Sequence, residues 1–286
     1  MERVLIAGCG YVGSKVASDL ALVPNLEVFG VRRSEGVRLE GVHLIAADIV
    51  NGSLAVLPAG IDRIFLCASP NDSSSQAYED IYVRSLSRLL EFLEQKGTKG
   101  SRLLLTSSTS VYSQGGGEVV TEDSPTEPTS AGSQCIVRGE SLLRRGDTSV
   151  RLGGIYGPGR TSFIESVRRG TMAVNPNASG YTNRIHRDDA AVILRFCSGL
   201  AQPDRIYNGV DCESATRATV ANWLAVQLGV SLKTTTEGEA SHFLRGNKRV
   251  SNQRLLDAGY QFLYPTFREG YTALMGLIGS GTGANL

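Results

Sequence analysis

Short apolar runs alternate with amphipathic stretches of helical periodicity along most of the chain. Parallel strands need helical crossovers, so this alternation predicts βαβ units and a mainly parallel sheet. In the longest amphipathic stretch, Leu86, Leu89 and Leu93 fall near one helical face and predict a core-packing stripe. The predicted strands are residues 3–7, 26–31, 42–46, 63–67, 102–106, 149–152 and 205–210. The predicted helices are residues 12–22, 77–95, 133–145, 187–200 and 218–228.

Composition excludes several classes of protein. Lysine plus arginine (29) nearly equals aspartate plus glutamate (28), so no global field recruits nucleic acid or a membrane, and we expect neither as a partner. The five cysteines form no CxxC pair and no Cys/His cluster, so neither a disulfide framework nor a metal site is expected. There is no signal-like segment and no run of about 18 apolar residues, which predicts a cytoplasmic protein.

The loop after the first predicted strand has glycines at the spacing G-x-G-x-x-G. These are Gly8, Gly10 and Gly13, with Tyr11 and Val12 opening the next predicted helix. Between a strand and a helix, this spacing predicts a dinucleotide-binding site. Gly8 would allow a tight turn, Gly10 the approach of a pyrophosphate, and Gly13 close helix–strand contact. N–H groups at the helix start would bind the phosphates. A purely structural glycine turn is the alternative.

Two arginines, Arg32 and Arg33, stand at the end of the second predicted strand. Enzymes that prefer NAD usually carry an acidic residue there. Guanidinium groups offer planar, charge-assisted donors to a 2′-phosphate, so the pair favours NADP over NAD. Solvated arginines are the alternative. Asp48 closes the third predicted strand, where its carboxylate can accept a hydrogen bond from adenine or cap a turn.

The segment 106–113, Thr-Ser-Ser-Thr-Ser-Val-Tyr-Ser, resembles the extended short-chain dehydrogenases/reductases of the NAD-dependent epimerase/dehydratase family. The glycine loop and the segments 151–160 and 183–189 match the same family in order. The sequence from Ser107 to Tyr112 is most similar to that of an atypical, sugar-nucleotide-epimerase-like subgroup of this family. The resemblance implies an α/β fold, namely a doubly wound Rossmann-type parallel sheet with a smaller C-terminal substrate domain.

The resemblance also implies domain limits and site residues. The dinucleotide-binding Rossmann domain would comprise residues 1–155 plus 186–210, and the small substrate-binding domain residues 156–185 plus 211–286. Ser107 would contact the cofactor. The Ser108 hydroxyl would bond a substrate oxygen beside the nicotinamide, with a strand-capping hydroxyl as the alternative. A homodimer through the helices 77–95 and 133–145 would resemble the family.

The family's Tyr-x-x-x-Lys pair is missing from this sequence. Aligned on the trailing acid, Glu140, the chain has Gly132 at the tyrosine position and Ile136 at the lysine position. A phenol becomes a useful acid or base when a neighbouring positive charge lowers its pKa, and neither replacement contributes to that. A different proton donor is therefore expected. The candidates are Tyr112, Tyr156, Ser130, Ser133 and Arg138.

Tyr156 is the preferred catalytic candidate because the family passes that segment close to the nicotinamide; a packing role is the alternative. The function expected first is an NADP-dependent oxidoreductase, or an epimerase/dehydratase-like enzyme, that acts on a small polar metabolite by hydride transfer, with NAD as the less favoured cofactor. The second is a catalytically degenerate NAD(P)-binding protein that serves as a redox sensor or scaffold. Gly132 and Ile136 motivate this second function.

Overall fold

The computed structural model describes residues 1–34, 38–175, 180–235 and 247–279. Strands and helices follow each other much as the hydrophobic pattern predicts. The strands are β1 (Glu2–Ala7), β2 (Leu26–Arg32), β3 (Val42–Ala46), β4 (Ile61–Leu66), β5 (Gly97–Ser108), β6 (Glu118–Val120), β7 (Thr148–Leu152), β8 (Gly154–Tyr156), β9 (Ala173–Val174), β10 (Tyr181–Thr182), β11 (Arg184–His186), β12 (Ile206–Gly209), β13 (Ala215–Thr216), β14 (Lys233–Thr234) and β15 (Lys248–Val250). The helices are α1 (Tyr11–Ala21), α2 (Ser75–Glu79), α3 (Leu86–Lys96), α4 (Ala131–Leu142), α5 (Ser162–Arg168), α6 (Arg187–Gly199), α7 (Arg217–Leu228), α8 (Gln253–Asp257) and α9 (Phe267–Gly279).

Seven strands form the central sheet, in the order β12-β7-β5-β4-β1-β2-β3. The pairs β1–β2, β1–β4, β2–β3 and β4–β5 are parallel. Because β1 lies between β2 and β4, the order of strands changes direction there. In open α/β sheets, ligands bind at such a switch point, outside the carboxyl ends of the strands. The prediction of a doubly wound Rossmann-type α/β sheet is confirmed.

The centre of this sheet is packed on both faces. In β1, Val4, Leu5 and Ile6 are fully buried, and in α1 the same holds for Val16 and Ala17. A strand covered on both faces has a continuous apolar run instead of alternating polar and apolar positions, which explains the sequence Val-Leu-Ile-Ala before the glycine loop. The glycine loop therefore begins at the end of a strand that packing on both faces holds in place.

The longest predicted helix, residues 77–95, contains a change in winding. Helix α2 passes into a π-helical turn, Asp80–Ser85, which passes directly into α3. Leu86, Leu89 and Leu93 are buried, so the predicted apolar stripe of α3 is confirmed. Turns of π-helix are rare in proteins, and those that occur are often found at functional sites. No feature of the hydrophobic pattern indicated this turn.

The chain divides into two compact units. Unit 1 consists of Met1–Val111, Thr126–Arg151 and Ala190–Tyr207, and unit 2 consists of Tyr112–Pro125, Leu152–Asp189 and the chain from Asn208 onward. The family resemblance keeps residues 112–125 in the Rossmann domain, whereas this segment lies in unit 2. The reason is that β6, from this segment, pairs with β15, from the C-terminal part of the chain.

Unit 2 has a hydrophobic core of its own. Its largest buried side chains include Tyr156, Phe267 and Tyr271, and they pack with apolar residues of α5 and α7. Its strands form short pairs, among them β8 with β11 and β6 with β15, both parallel. Helix α9, which contributes Phe267 and Tyr271 to this core, is not among the predicted helices.

Candidate functional site

The glycine loop after β1 is shaped by two very close backbone contacts. Gly8 has a φ of +97°, and a Cβ on it would lie 2.3 Å from the backbone nitrogen of Ala68. A Cβ on Gly13 would lie 2.2 Å from the carbonyl oxygen of Gly8. Gly8 therefore allows both the left-handed turn and the contact with the end of β4, and Gly13 allows the helix to approach the strand. These are the roles that the spacing predicts for Gly8 and Gly13.

Gly10 differs, because a Cβ on it would have no atom within 4 Å in the described structure. Gly10 is also the N-cap of α1, which has no side-chain cap and no acidic residue in its first turn. Such a helix start favours anions through its N–H groups and its partial positive charge. Val12 is buried against the sheet, while Tyr11 is half-buried. The open space at Gly10 and the uncapped helix start fit a dinucleotide pyrophosphate.

Both arginines at the end of β2 make hydrogen bonds to neighbouring side chains. Arg32 donates to the Ser34 hydroxyl at 2.9 Å, and Arg33 donates to the Asn71 amide oxygen at 2.6 Å. Arg33 is exposed, and Arg32 is half-buried with its Nε making no hydrogen bond in the described structure. Each guanidinium has further N–H groups. The pair thus presents donors at the strand end where the sequence predicts binding of the adenosine part of the cofactor.

Asp48 caps the turn that follows β3. Its carboxylate accepts from the backbone N–H of Val50 at 2.8 Å, and the Asn51 side chain lies 3.4 Å away. Partial burial raises the pKa of Asp48, but these hydrogen bonds and the charge of Arg33 outweigh burial and hold the pKa below its ordinary value. The carboxylate is therefore charged at neutral pH. It serves the turn-capping role, with lone pairs left to accept from adenine.

The two serines at the end of β5 have different environments. Ser107 is buried, and its hydroxyl donates to the Glu140 carboxylate at 2.8 Å. Ser108 is half-buried, and its hydroxyl oxygen accepts from the backbone N–H of Ser110 at 3.1 Å. Within the described ranges, the Ser108 hydroxyl donates to no other residue. Its proton is therefore available for a substrate oxygen, whereas the Ser107 side chain is engaged in the interior.

A short chain of hydroxyl groups lies next to Ser108. Ser130, the N-cap of α4, donates to the Ser133 hydroxyl at 2.9 Å, and Ser133 donates to the Ser110 hydroxyl at 3.0 Å. Ser110 is the residue whose N–H holds Ser108. The structure thus brings together three serines that the sequence marked as separate candidates, Ser108, Ser130 and Ser133, and adds Ser110. All four belong to unit 1.

The α4 positions aligned with the missing pair carry no acid/base group. Ile136 is buried in the apolar interior. A Cβ on Gly132 would lie 3.1 Å from three ring carbons of Tyr78, so the Tyr78 ring packs directly on Gly132. Sequence reasoning missed Tyr78, because the residue lies in α2, far from α4 along the chain. The only signal was the glycine itself, since a helical glycine often marks a close approach.

The remaining proton-donor candidates are occupied by other interactions. Arg138 forms a two-bond ion pair with Glu79, at 2.8 and 2.9 Å. In unit 2, the Tyr112 hydroxyl donates to the Asn208 side chain at 2.8 Å. Both interactions are typical of structural side chains, one at the surface and one in the interior.

Tyr156 also lies in unit 2, whereas Ser108 belongs to unit 1. Its ring stacks on Tyr271, with centroids 4.5 Å apart, and its hydroxyl has no hydrogen-bond partner in the described structure. Burial, and then the negative charge of Asp211, raise the pKa of Tyr156 well above its ordinary value. A phenol with a raised pKa is a weaker acid and therefore a poorer proton donor at neutral pH. These contacts favour the packing role for Tyr156.

No group of three or more histidine, cysteine, aspartate or glutamate side chains in the described structure could hold a metal ion. Among the same residues, no helix is long and apolar enough to cross a membrane.

A strand–glycine turn–helix unit at the switch point of a parallel sheet defines a Rossmann-type dinucleotide-binding protein. The sequence model of the NAD dependent epimerase/dehydratase family matches residues 4–207. The chain belongs to this family. Among curated proteins, none matches the sequence.

Solved structures show the same relationship. A protein from Methylobacillus flagellatus, described as an NAD-dependent epimerase/dehydratase, is 30% identical with a TM-score of 0.80, over 97% of this chain and 98% of that chain. A functionally unknown conserved protein from Silicibacter pomeroyi DSS is 24% identical, with a TM-score of 0.77 over 96% and 99% of the chains. MoeE5 in complex with UDP-glucuronic acid and NAD is 20% identical, with a TM-score of 0.81 over 98% and 100%. The last two share the fold.

Proposed function

We propose that this protein is a nicotinamide-dependent enzyme that transfers hydride to or from a small polar substrate with a carbonyl or alcohol group. The observation that carries the proposal is the pairing, within unit 1, of a glycine loop open at Gly10 with a Ser108 hydroxyl free to donate. Membership of the epimerase/dehydratase family supports the reaction class.

The chain's own groups provide binding and orientation. The loop between Gly8 and Gly13 and the start of α1 would bind the pyrophosphate. When bound, the nicotinamide supplies or accepts the hydride. The N–H of Ser110 fixes the Ser108 hydroxyl, whose proton then points to the reacting oxygen. A hydrogen bond to that oxygen stabilises the negative charge that develops on it during hydride transfer.

The proposed cofactor is NAD, with NADP also accepted. The preference for NADP predicted from Arg32 and Arg33 has no support among the structural neighbours, since MoeE5 and a Bacillus cereus UDP-glucuronic acid 4-epimerase were solved with NAD. The hydrogen bonds to Ser34 and Asn71 already engage part of each guanidinium. The remaining N–H groups extend binding to a 2′-phosphate.

The first test is a fluorescence titration of the protein with NADH and with NADPH, followed by carbonyl and imine metabolites and by UDP-glucose and UDP-glucuronic acid. We expect saturable binding, and loss of the reduced-nicotinamide emission with the correct substrate. Ser108→Ala should bind NADH normally and react about 10–100-fold more slowly. Ser141→Ala, an exposed serine of α4, is the control. Absence of binding by either dinucleotide would contradict the proposal.

A cofactor-binding sensor or scaffold is the second candidate function. Gly132 and the buried Ile136 favour it, because neither can transfer a proton. If the protein is a sensor, it should bind NADH tightly and turn over no compound. Ser108→Ala should then have no effect other than on binding. Turnover that depends on Ser108 would rule it out.

A further inference from the structure

The hydroxyl chain beside Ser108 has an aromatic neighbour. Tyr78 packs on Gly132, and the next residue along α4, Ser133, donates to Ser110, which holds Ser108. Tyr78 therefore packs on the residue before Ser133, and hydrogen bonds lead from Ser133 through Ser110 to the Ser108 hydroxyl. All of these residues belong to unit 1.

The Tyr78 ring packs closely on the position where residue 132 would carry a side chain. At 3.1 Å from the ring carbons, even a single methyl group at this position would force the ring to shift. Seven residues further along α4, a Cβ on Gly139 would lie 2.3 Å from the carbonyl oxygen of Tyr82. Positions seven apart fall on the same helical face, so these two glycines bring α4 against α2 and the π-helical turn.

The Tyr78 ring is held while its hydroxyl is left available. The ring stacks on Tyr82, with centroids 5.9 Å apart and an interplanar angle of 24°. Tyr82 is buried and is the third of the six residues in the π-helical turn. Tyr78 itself is half-buried, and its hydroxyl forms no hydrogen bond with the described residues. A fixed ring with an unused hydroxyl is suited to proton transfer.

We propose that Tyr78, whose ring packs on Gly132 next to the serine chain that leads to Ser108, is a catalytic residue that gives and takes the substrate proton. This rests on the proposed function, because a hydride-transfer reaction on a carbonyl needs a proton donor. Among the proton-transfer candidates of unit 1, Ser130 and Ser133 donate within the hydroxyl chain, and Arg138 is paired with Glu79.

In the reductive direction the substrate carbonyl carbon gains a hydride, the C=O π pair moves to oxygen, and that oxygen takes the phenolic proton of Tyr78. The reduced nicotinamide supplies the hydride and is thereby oxidised. The Tyr78 phenolate then regains a proton from water. Ser108 keeps its proton throughout and donates a hydrogen bond.

A measurement that needs no substrate tests the location. Protein labelled with ¹³C at tyrosine Cζ gives signals from ten tyrosines, and the signals missing in Tyr78→Phe and Tyr82→Phe identify these two. We expect NAD⁺ at saturation to move the Tyr78 signal more than the Tyr82 signal. A Tyr78 signal unchanged by bound NAD⁺ would overturn the proposal.

Turnover tests the chemistry, with the compound found in the fluorescence screen. Tyr78→Phe keeps the ring and removes the hydroxyl, so kcat should fall at least about 100-fold with NADH affinity unchanged. Tyr82→Phe is the matched control and should keep the wild-type rate. Gly132→Ala should fall between them, because it displaces the ring. A Tyr78→Phe variant at the wild-type rate would refute the role, whereas failure of the wild type to bind NADH would refute the proposed function instead.

Discussion

The glycine loop after β1 and the region of α4 around Gly132 both depend on glycine, but in different ways. At Gly8 and Gly13 the atoms in the way belong to backbone, at 2.3 and 2.2 Å, so nothing nearby can move aside. At Gly132 the neighbour is a side chain from another helix, Tyr78, at 3.1 Å. The first site is fixed by local geometry, and the second is filled from elsewhere in the fold. Backbone constraints within one turn can therefore be predicted from the sequence, whereas the side chain that packs on Gly132 from another helix cannot.

The largest expected effect concerns how much the buried hydrogen bonds of α4 contribute to the free energy of unfolding. Glu140 is buried and accepts from Arg151 at 2.6 Å, from Ser149 at 2.9 Å and from Ser107 at 2.8 Å. Glu140→Ala removes the carboxylate that pairs with the buried Arg151 side chain, which should lower the free energy of unfolding by about 3–5 kcal/mol. Urea denaturation measures this.

The exposed ion pair on the same helix is the control for Glu140. Arg138 is 60% exposed at its side chain where it pairs with Glu79. Arg138→Ala should therefore cost at most about 1 kcal/mol. Equal losses of unfolding free energy in the two variants would mean that the buried Glu140 contributes no more to stability than the exposed ion pair.

The second prediction extends the comparison to unit 2, through pH. Burial raises the pKa of Asp211 to about 7, against the opposing hydrogen bond from the Glu213 backbone and the charge of Arg184. The folded state therefore holds this proton more tightly than the unfolded state. Its contribution to stability is complete below about pH 4 and is lost as pH rises to about 7, by at most about 1.4 kcal/mol per pH unit.

Asp211→Asn should remove this contribution. The melting temperature of the variant, measured between pH 4 and 8, should fall less with rising pH than that of the wild type. Asp257→Asn, an exposed carboxylate of α8, is the control. Parallel curves for the wild type and Asp211→Asn would contradict the assignment.

The third prediction separates binding from folding in the glycine loop. Gly10→Ala adds a methyl group where the described structure has no atom within 4 Å, so the melting temperature should fall only slightly, by the cost of alanine at an N-cap. The affinity for NADH should still fall about tenfold, or about 1.4 kcal/mol, because the methyl group takes space needed by the pyrophosphate. Gly199→Ala, also in open space, should leave both quantities unchanged. A Gly10→Ala variant with wild-type affinity would place the pyrophosphate elsewhere.

The smallest effect concerns the choice of cofactor. Replacing Arg32 and Arg33 together by alanine should weaken NADPH binding about fivefold, roughly 1 kcal/mol as for an exposed charge pair, and leave NADH binding nearly unchanged. Titration at two salt concentrations checks this, since screening should reduce the difference. Equal losses for NADH and NADPH would show that the arginines do not contact a 2′-phosphate.

The parallel sheet and the loop could be predicted from sequence because both depend on neighbouring residues. Alternating apolar runs specify strands and crossovers, and Gly8, Gly10 and Gly13 report backbone constraints within one turn. Ser108 was found through its segment, but the engagement of Ser107 by Glu140 was not, since the two lie 33 residues apart and only folding joins them.

Tyr78 and α9 could not be predicted for the same physical reason. Tyr78 reaches Gly132 only after α2, the π-helical turn and α4 have packed together. The pattern of small residues on α4 indicates that something approaches closely, but not which side chain. Helix α9 is specified by the core of unit 2, where Phe267 and Tyr271 meet partners from α5 and α7.

The hydrogen bond between Arg33 and Asn71 has a consequence for regulation of the enzyme. Asn71 lies in the connection between β4 and α2, and Tyr78 follows seven residues further on, within α2. A cofactor that draws Arg33 to its ribose breaks a bond that helps to hold the connection in place. Affinity at the adenosine end and the placement of Tyr78 are then thermodynamically linked, and linkage acts equally in both directions. The choice of dinucleotide would then change the position of Tyr78, the proposed proton donor, as well as the strength of binding.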